Sequence, residues 1–312
     1  MSDVLLLRWL LTALAGACLL AAPGLQAQSV ALTFDDGPSL AATPRLSPQA
    51  RNAAMLAALA RHKVKAALFV TAGNGAVKPE ALALARAWGQ AGHAIGNHTM
   101  SHPDLDNAKT TLARYQQELL DCDRIIATLP GYQKWFRFTY LREGNTPDKR
   151  DGMRAFLRGQ GYRNAYVSLD TSDWRLNDKL AEVLARDPQA DVEPIRQAYL
   201  AHIRQRALAY RELAQRLQGR DIPQVLLLHH NLINALWLDD VLRQFSDMGW
   251  QFTTPTEAFA DPVYQLQPQR NAPGQSLLIS MGRSLGLGTQ DIGLRLMDDG
   301  DFEIEALRQQ GL

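Results

Sequence analysis

From residue 30 onward, short apolar runs alternate with longer stretches whose apolar residues recur at helical spacing. VALTF (30–34), AALFVTA (66–72), HAIGN (93–97), WFRFTY (135–140), AYVSL (165–169), QVLLLHHN (224–231) and WQFTT (250–254) have the length and composition of strands. Helical patterns fill the gaps near 50–62, 79–91, 109–129, 148–160, 178–218 and 234–248. Strands that recur with a helix between them pair in parallel, because the helix carries the chain back to where the next strand starts. Seven such units are enough to close, or nearly close, a barrel of α/β class.

Two stretches break the rhythm. Residues 175–222 are long and polar, and RDPQADVEP (186–194) divides them into a short helix and a longer one. A surface excursion is expected there, with the charge-rich part from 194 to 218 as a solvated face. From Asp261, DPVYQLQPQRNAPGQS reads as an exposed linker or wrapping arm, and SLLISMGRSLGLGTQDIGLRL follows with no clear period. The expected organisation is a barrel over 28–260 with a helical insertion at about 175–222, then a C-terminal extension over 261–312. No internal repeat is visible.

The first 27 residues have one basic residue, Arg8, an apolar stretch from Trp9 to Ala22, a Pro/Gly break and LQAQ. This reads as a secretory signal peptide cleaved near Ala27, and it is too short for a membrane-spanning helix. The expected location is therefore the periplasm or the cell exterior, with no transmembrane segment in the mature chain. AGAC, ending at Cys18, matches the lipoprotein pattern poorly, so lipid anchoring through Cys18 is the minor alternative. If Cys18 leaves with the leader, Cys122 remains alone and no intramolecular disulfide can form.

Composition narrows the ligand more than the fold. The chain has 312 residues, 46% of them hydrophobic and 21% charged, enough to build a sizeable core. A formal charge of +1, without a long run of Lys or Arg, supplies no bulk attraction to nucleic acid or to an anionic membrane. The expected ligand is neutral or steered locally.

In a parallel barrel, the C-terminal ends of the strands form one rim on which residues distant in sequence converge. Asp35 and Asp36 follow the first strand, His98 and His102 the third, Arg137 and Tyr140 lie on the fourth, Asp170, Asp173 and Trp174 follow the fifth, and His229 ends the sixth. In HTMSH the two histidines stand four apart, and both reach one ion if the backbone turns. Pro103 biases His102 away from helix, which favours a loop. Taken alone, such a pair is more often two surface histidines beside a turn. One added aspartate makes a divalent-metal set, with Asp36 neutralised by the ion and Asp35 left to take a proton from an attacking water. DDG recurs in MDDGDFE (297–303) without a strand before it, and there a turn is expected. His62, His93 and His202 are assigned structural or surface roles, and Trp88, Trp237 and Trp250 the core.

Taken in order, TFDDGPS, HTMSH, RFTY, DTSDW and LLLHHN resemble the five motifs of the polysaccharide deacetylases, the NodB-homology family or carbohydrate esterase family 4. The resemblance covers about 30–260 and implies a distorted (β/α)7 barrel and a metal-dependent hydrolase that removes N-acetyl groups from the sugars of a glycan. It implies Asp36, His98 and His102 as ligands of one divalent ion, zinc foremost, with cobalt, nickel or iron also suited to the set. It implies Asp35 as general base, Arg137 as the residue that orients it, the Tyr140 N–H at the oxyanion, His229 as general acid and Leu227 beside the acetyl group. Strand alternation independently selects His229 over His230, since Leu227 and His229 must share a face. Asp173 is preferred over Asp170 as the carboxylate behind His229, and Trp174 is expected as the wall beside it. Thr139 departs from the family pattern, which has proline there, so the groove and its glycan are less fixed than the reaction. Two other classes stay open: an amidohydrolase acting on a non-sugar amide, and a catalytically inactive carbohydrate-binding member of the fold. Which glycan is used, and the oligomeric state, are left open.

Overall fold

The computed structural model describes residues 28–269 and 275–312. The proposed leader therefore lies outside the described residues. Strands and helices alternate as β1 (Ser29–Gly37), α1 (Pro48–Arg61), β2 (Ala67–Val70), α2 (Pro79–Gln90), β3 (Ala94–Asn97), α3 (Leu112–Ile126), β4 (Tyr132–Phe136), α4 (Pro147–Gly159) and β5 (Arg163–Asn164). Two helices follow without a strand between them, α5 (Asp173–Arg186) and α6 (Glu193–Gln218), then β6 (Gln224–His229), α7 (Leu232–Asp247), β7 (Gln251–Phe252) and α8 (Pro255–Ala260). Three short helices lie beyond the barrel: α9 (Leu277–Ser284), α10 (Thr289–Ile292) and α11 (Asp301–Gln309).

All strand pairs are parallel, in the order β5-β4-β3-β2-β1-β6, with β7 pairing the first two residues of β1. One parallel bridge, Leu169 to Leu226, joins the chain after β5 to β6 and brings the far edge of the sheet round to the near one. The result is a distorted barrel wrapped by helices. Helix starts follow local chemistry legible in the sequence: Ser47, Thr111, Thr146, Asn231 and Thr254 each accept a backbone N–H of the first turn, and Thr254 with Glu257 forms a capping box.

Several sequence-based expectations are corrected. The fourth strand ends at Phe136, so Arg137 and Tyr140 follow it rather than lie on it. Arg137 N–H still donates to Asn97 O at 3.0 Å, but Tyr140 and Leu141 take left-handed φ angles of 55° and 54°, which end extended pairing. The fifth strand is 163–164, and the 165–169 run makes one bridge to β6, Leu169 to Leu226, instead of a full ladder, with Ala165 N–H donating to Phe136 O and Ser168 and Leu169 N–H to Val225 O.

Helix α6 is not a surface excursion. Ile195, Tyr199, His202, Ile203, Arg206, Ala207, Tyr210, Leu213 and Ala214 form a buried stripe along it. That stripe packs on α5 and α7 and also receives α9 and α11. Its polar residues misled the pattern because they occupy the remaining faces of a 26-residue helix, where they dilute the apolar stripe. The stretch after Asp261 is not simply exposed either: Val263 and Tyr264 are buried, and the Tyr264 hydroxyl donates to Pro223 O at 2.6 Å. Trp88, Trp237 and Trp250 are core residues, and Cys122 is buried and free.

Ile203 separates the two views of α6. Ile203→Ala should cost about 2–5 kcal/mol in urea denaturation, the range for a buried aliphatic truncation, whereas a solvated face would give a change within about 0.5 kcal/mol.

Candidate metal centre

Alternation along a strand would send Asp35 and Asp36 to opposite sides of β1. The backbone cancels that. Asp36 has φ 66°, and the register between β1 and β2 shifts between Phe34 and Gly37. Aspartate tolerates the left-handed region better than most residues, so the kink turns both carboxylates to one cavity. Gly37 follows where there is no room for a side chain: a Cβ there would lie 2.7 Å from Leu68 Cδ1 and 2.8 Å from His230 Cβ. HTMSH turns by the same device, with φ 73° at Thr99 and 55° at His102. Thr99 N–H donates to Asn97 Oδ1 at 2.9 Å, and His102 N–H to Thr99 Oγ1 at 3.0 Å. Of the seven non-glycine residues with positive φ among those described, five (Asp36, Thr99, His102, Tyr140 and Leu141) are in these loops.

The kinks bring three donors together. Asp36 Oδ1 lies 3.6 Å from His98 Nε2 and 3.3 Å from His102 Nε2, and one ligand atom from each residue falls within 4.8 Å of the others. His98 Nδ1 is 2.8 Å from Arg137 O. A carbonyl only accepts, so Nδ1 carries the proton and the Nε2 lone pair faces Asp36, as a metal ligand requires. His102 packs edge-on against Tyr140, ring centres 4.5 Å apart, and burial, with His98 adding, lowers its pKa to about 4 against the pull of Asp36 and Asp35. A neutral imidazole is the ligating form. For Asp36, burial pushes upward, but the imidazoles of His98, His229 and His102 outweigh it and hold the group below its ordinary 3.8. The donor set fits a divalent cation.

Asp35 is a separate case, buried and paired to a different partner. Arg137 Nη1 donates to Asp35 Oδ1 at 2.8 Å and to Thr33 Oγ1 at 2.7 Å, and Nε donates to Ala165 O at 3.0 Å. The guanidinium lies 4.0 Å from the centre of the Phe69 ring. Asp35 Oδ2 is 3.7 Å from His98 Nε2, so the two aspartates bracket that imidazole.

On the neighbouring strand, β6 sets Leu227 in register with Thr33 and His229 in register with Asp35. His229 Nδ1 is 2.6 Å from Asp173 Oδ1, and His229 N–H donates to Asp173 Oδ2 at 2.9 Å. Asp173, not Asp170, reaches His229. Asn231 and Asn234 also donate to Asp173 Oδ2, at 3.1 and 2.7 Å, so the fully buried carboxylate is fixed from four directions. Burial alone would lower the His229 pKa; Asp173, aided by Asp36 and Asp35, raises it from 6.5 to about 10. Asp170 is raised to about 7 by burial, with Arg206 and His229 opposing and Asp299 and Asp173 reinforcing.

Asp35, Asp36, His98, His102, Tyr140, Trp174, Leu227 and His229 all line one cavity of about 600 Å³. Arg137 and Asp173 stand behind it, each holding a lining residue. His230 faces away, its Nε2 3.0 Å from Asn52 Oδ1, which also accepts from Trp88. Sequence reasoning missed Thr33, Asn231 and Asn234, which act as hydrogen-bond partners with no motif of their own. It also missed Asp299 and Gln275, which bring the C-terminal extension to the cavity wall. Thr139 replaces proline with a gain: its N–H donates to the Tyr115 hydroxyl at 3.1 Å, and its own hydroxyl reaches Tyr115 and Pro103 O. That network ties the loop after β4 to the residue beside His102.

Residues 23–156 match the family model described as polysaccharide deacetylase. A peptidoglycan-N-acetylglucosamine deacetylase of Bacillus cereus is 33% identical over 147 residues, 47% of this chain and 46% of that protein. A chitin deacetylase of Colletotrichum lindemuthianum is 32% identical over 161 residues, 50% of this chain and 55% of the other. The chain thus spans about half the length of these curated relatives. A crystal structure of a peptidoglycan N-acetylglucosamine deacetylase in complex with 4-naphthalen-1-yl-N-oxidanyl-benzamide aligns with TM-score 0.51 at 25% identity, over 76% of this chain and 90% of that one.

Two measurements test the geometry. Thr139→Val keeps the shape but removes the hydroxyl, and should lower unfolding free energy by about 1–3 kcal/mol, the cost of unmet buried hydrogen bonds. In the metal-free protein His229 should stay protonated at neutral pH and lose its proton near pH 10. In Asp173→Asn the opposing charge is gone, so the titration followed by NMR should move down toward the ordinary 6.5.

Proposed function

We propose, for a chain that belongs to the polysaccharide deacetylase family, hydrolysis of the acetamide of N-acetylated sugars in a polysaccharide or oligosaccharide, dependent on one divalent metal ion. The observation that carries this reading is the convergence on one cavity of an Asp/His/His donor set, a second carboxylate backed by arginine, and an imidazole held protonated by a buried aspartate. An amide is a weak electrophile with a poor leaving group, so its hydrolysis needs carbonyl polarisation, an activated water, an oxyanion partner and a proton for the departing amine.

The ion held by Asp36, His98 and His102 would polarise the acetamide carbonyl and make the attacking water more acidic. Zinc is the choice we favour for two imidazoles and a carboxylate, with cobalt, nickel or iron compatible with the same donors. Asp35 accepts the proton of the attacking water on Oδ2, because Arg137 occupies Oδ1. His229 donates from Nε2 to the leaving nitrogen, because Asp173 occupies Nδ1. Arg137 fixes the base, and the Tyr140 N–H faces the developing oxyanion. Leu227 packs beside the acetyl methyl, and half-exposed Trp174 offers a flat wall for a sugar ring. Acetate and a free amino sugar are the products.

The relatives are named for peptidoglycan and chitin, polymers that present the same acetamide. We place the reaction outside the cytoplasm, in the periplasm or cell exterior, on the leader-like pattern of residues 1–27. Among the described residues no helix is long and apolar enough to cross a membrane.

Acetate release from chitin oligomers and N-acetylglucosamine polymers, measured on metal-stripped and zinc-refilled protein, tests the reading. Release should require the metal and fall by about 10²- to 10⁴-fold or more in Asp35→Asn, the usual loss of a general base. No release on any glycan, in a protein that still binds one divalent ion, overturns it.

A further inference from the structure

We propose that His202 is a positioning residue: with Glu303 it ties the C-terminal helix α11 to the Ser172 amide and so fixes Asp173 and, through it, His229. The chain of contacts is continuous. Glu303 Oε1 lies 3.2 Å from His202 Nδ1, Ser172 N–H donates to His202 Nε2 at 3.0 Å, and Ser172 immediately precedes Asp173.

The protonation state follows from the donors. An amide N–H can only donate, so Nε2 must offer its lone pair and Nδ1 must carry the proton. Glu303 is the acceptor that sets this tautomer, and its carboxyl sits below its ordinary 4.5 although burial pushes it up, with the hydrogen bond to His202 first among the groups that oppose burial and Arg206 adding to it. The ring is 2% exposed and has no other arrangement that satisfies both neighbours.

Two further contacts hold the same joint. One turn along α6, Arg206 donates to Leu296 O at 3.1 Å and to Asp298 O, clamping the segment that leads into α11. Gly300, with φ 88°, packs so closely on the loop that a Cβ would lie 3.2 Å from Ser172 Cβ and 3.4 Å from Arg175 Cβ. The hollow lined by His202, Arg206, Leu296 and Glu303 is only about 10 Å³, room for one water at most, so this is a packed joint and not a ligand site. The DDG of 297–303 does make a turn, as expected, with Gly300 N–H on Asp298 Oδ2 at 2.9 Å. That turn delivers Asp299 to the cavity wall and Glu303 to His202.

The proposal rests on the deacetylase reading for its kinetic arm alone; hydrogen exchange of the Ser172 amide reads the link without activity. On the full chain, His202→Phe and Glu303→Leu should speed exchange at Ser172 and lower kcat roughly tenfold with KM changed by less than about twofold, as misplacement of a reacting group does. Glu303→Gln, which still accepts the Nδ1 proton, should restore both. Faster exchange with unchanged kcat, or loss of stability alone in Glu303→Leu, makes His202 a purely structural residue and overturns the proposal. If His202→Phe does not fold, the Glu303 pair carries the same test. A wild-type protein that releases no acetate refutes the functional reading, while unchanged Ser172 exchange in Glu303→Leu refutes this one.

Discussion

Two adjacent carboxylates at the end of β1, forced to share one side by a left-handed Asp36, are the constraint to which the site answers. Neighbouring like charges repel, and in a partly buried place water cannot relieve them. The protein resolves the conflict by giving each its own partner. Arg137 takes Asp35, and the imidazoles of His98 and His102 surround Asp36. Because the partners differ, the two carboxylates differ in chemistry: one holds an oxygen free beside a cationic anchor, the other is presented to a metal.

The anchors are themselves held. Arg137 lies fully buried between Phe69, Thr33 and Ala165 O, and its carbonyl in turn sets the tautomer of His98. One residue thereby orients both Asp35 and His98. The Asp173–His229 pair repeats the principle at the end of the neighbouring strand, where two asparagines and two groups of His229 leave the carboxylate no freedom to rotate. Low local dielectric strengthens the hydrogen bonds of such networks and makes any broken member costly.

The half of the chain beyond residue 156, which the family model does not match, is not peripheral to this arrangement. Asp173 and His229 lie in it, and α6 with the C-terminal helices forms the layer behind them. A histidine that sequence reasoning placed among structural residues sits between that layer and the loop carrying Asp173. Asp299, in a triplet read only as a turn, lines the same cavity as the two aspartates of β1.

The sequence by itself determined the alternation of strands and helices, the strand ends at which reactive residues gather, and the Asp/His/His set. These depend on local periodicity, capping and residue type, which are written in adjacent positions. It ended the fourth strand too late and read α6 as surface, because the limit of a ladder and the partner of a helix face are set by residues far along the chain. Only the tertiary structure decided that Asp35 and Asp36 share a side, that Asp173 reaches His229, and that Thr139 replaces proline with a network to Tyr115 and Pro103. Each of these rests on backbone kinks or on hydrogen bonds between residues distant in sequence, and no local pattern encodes which distant donor a buried acceptor will meet.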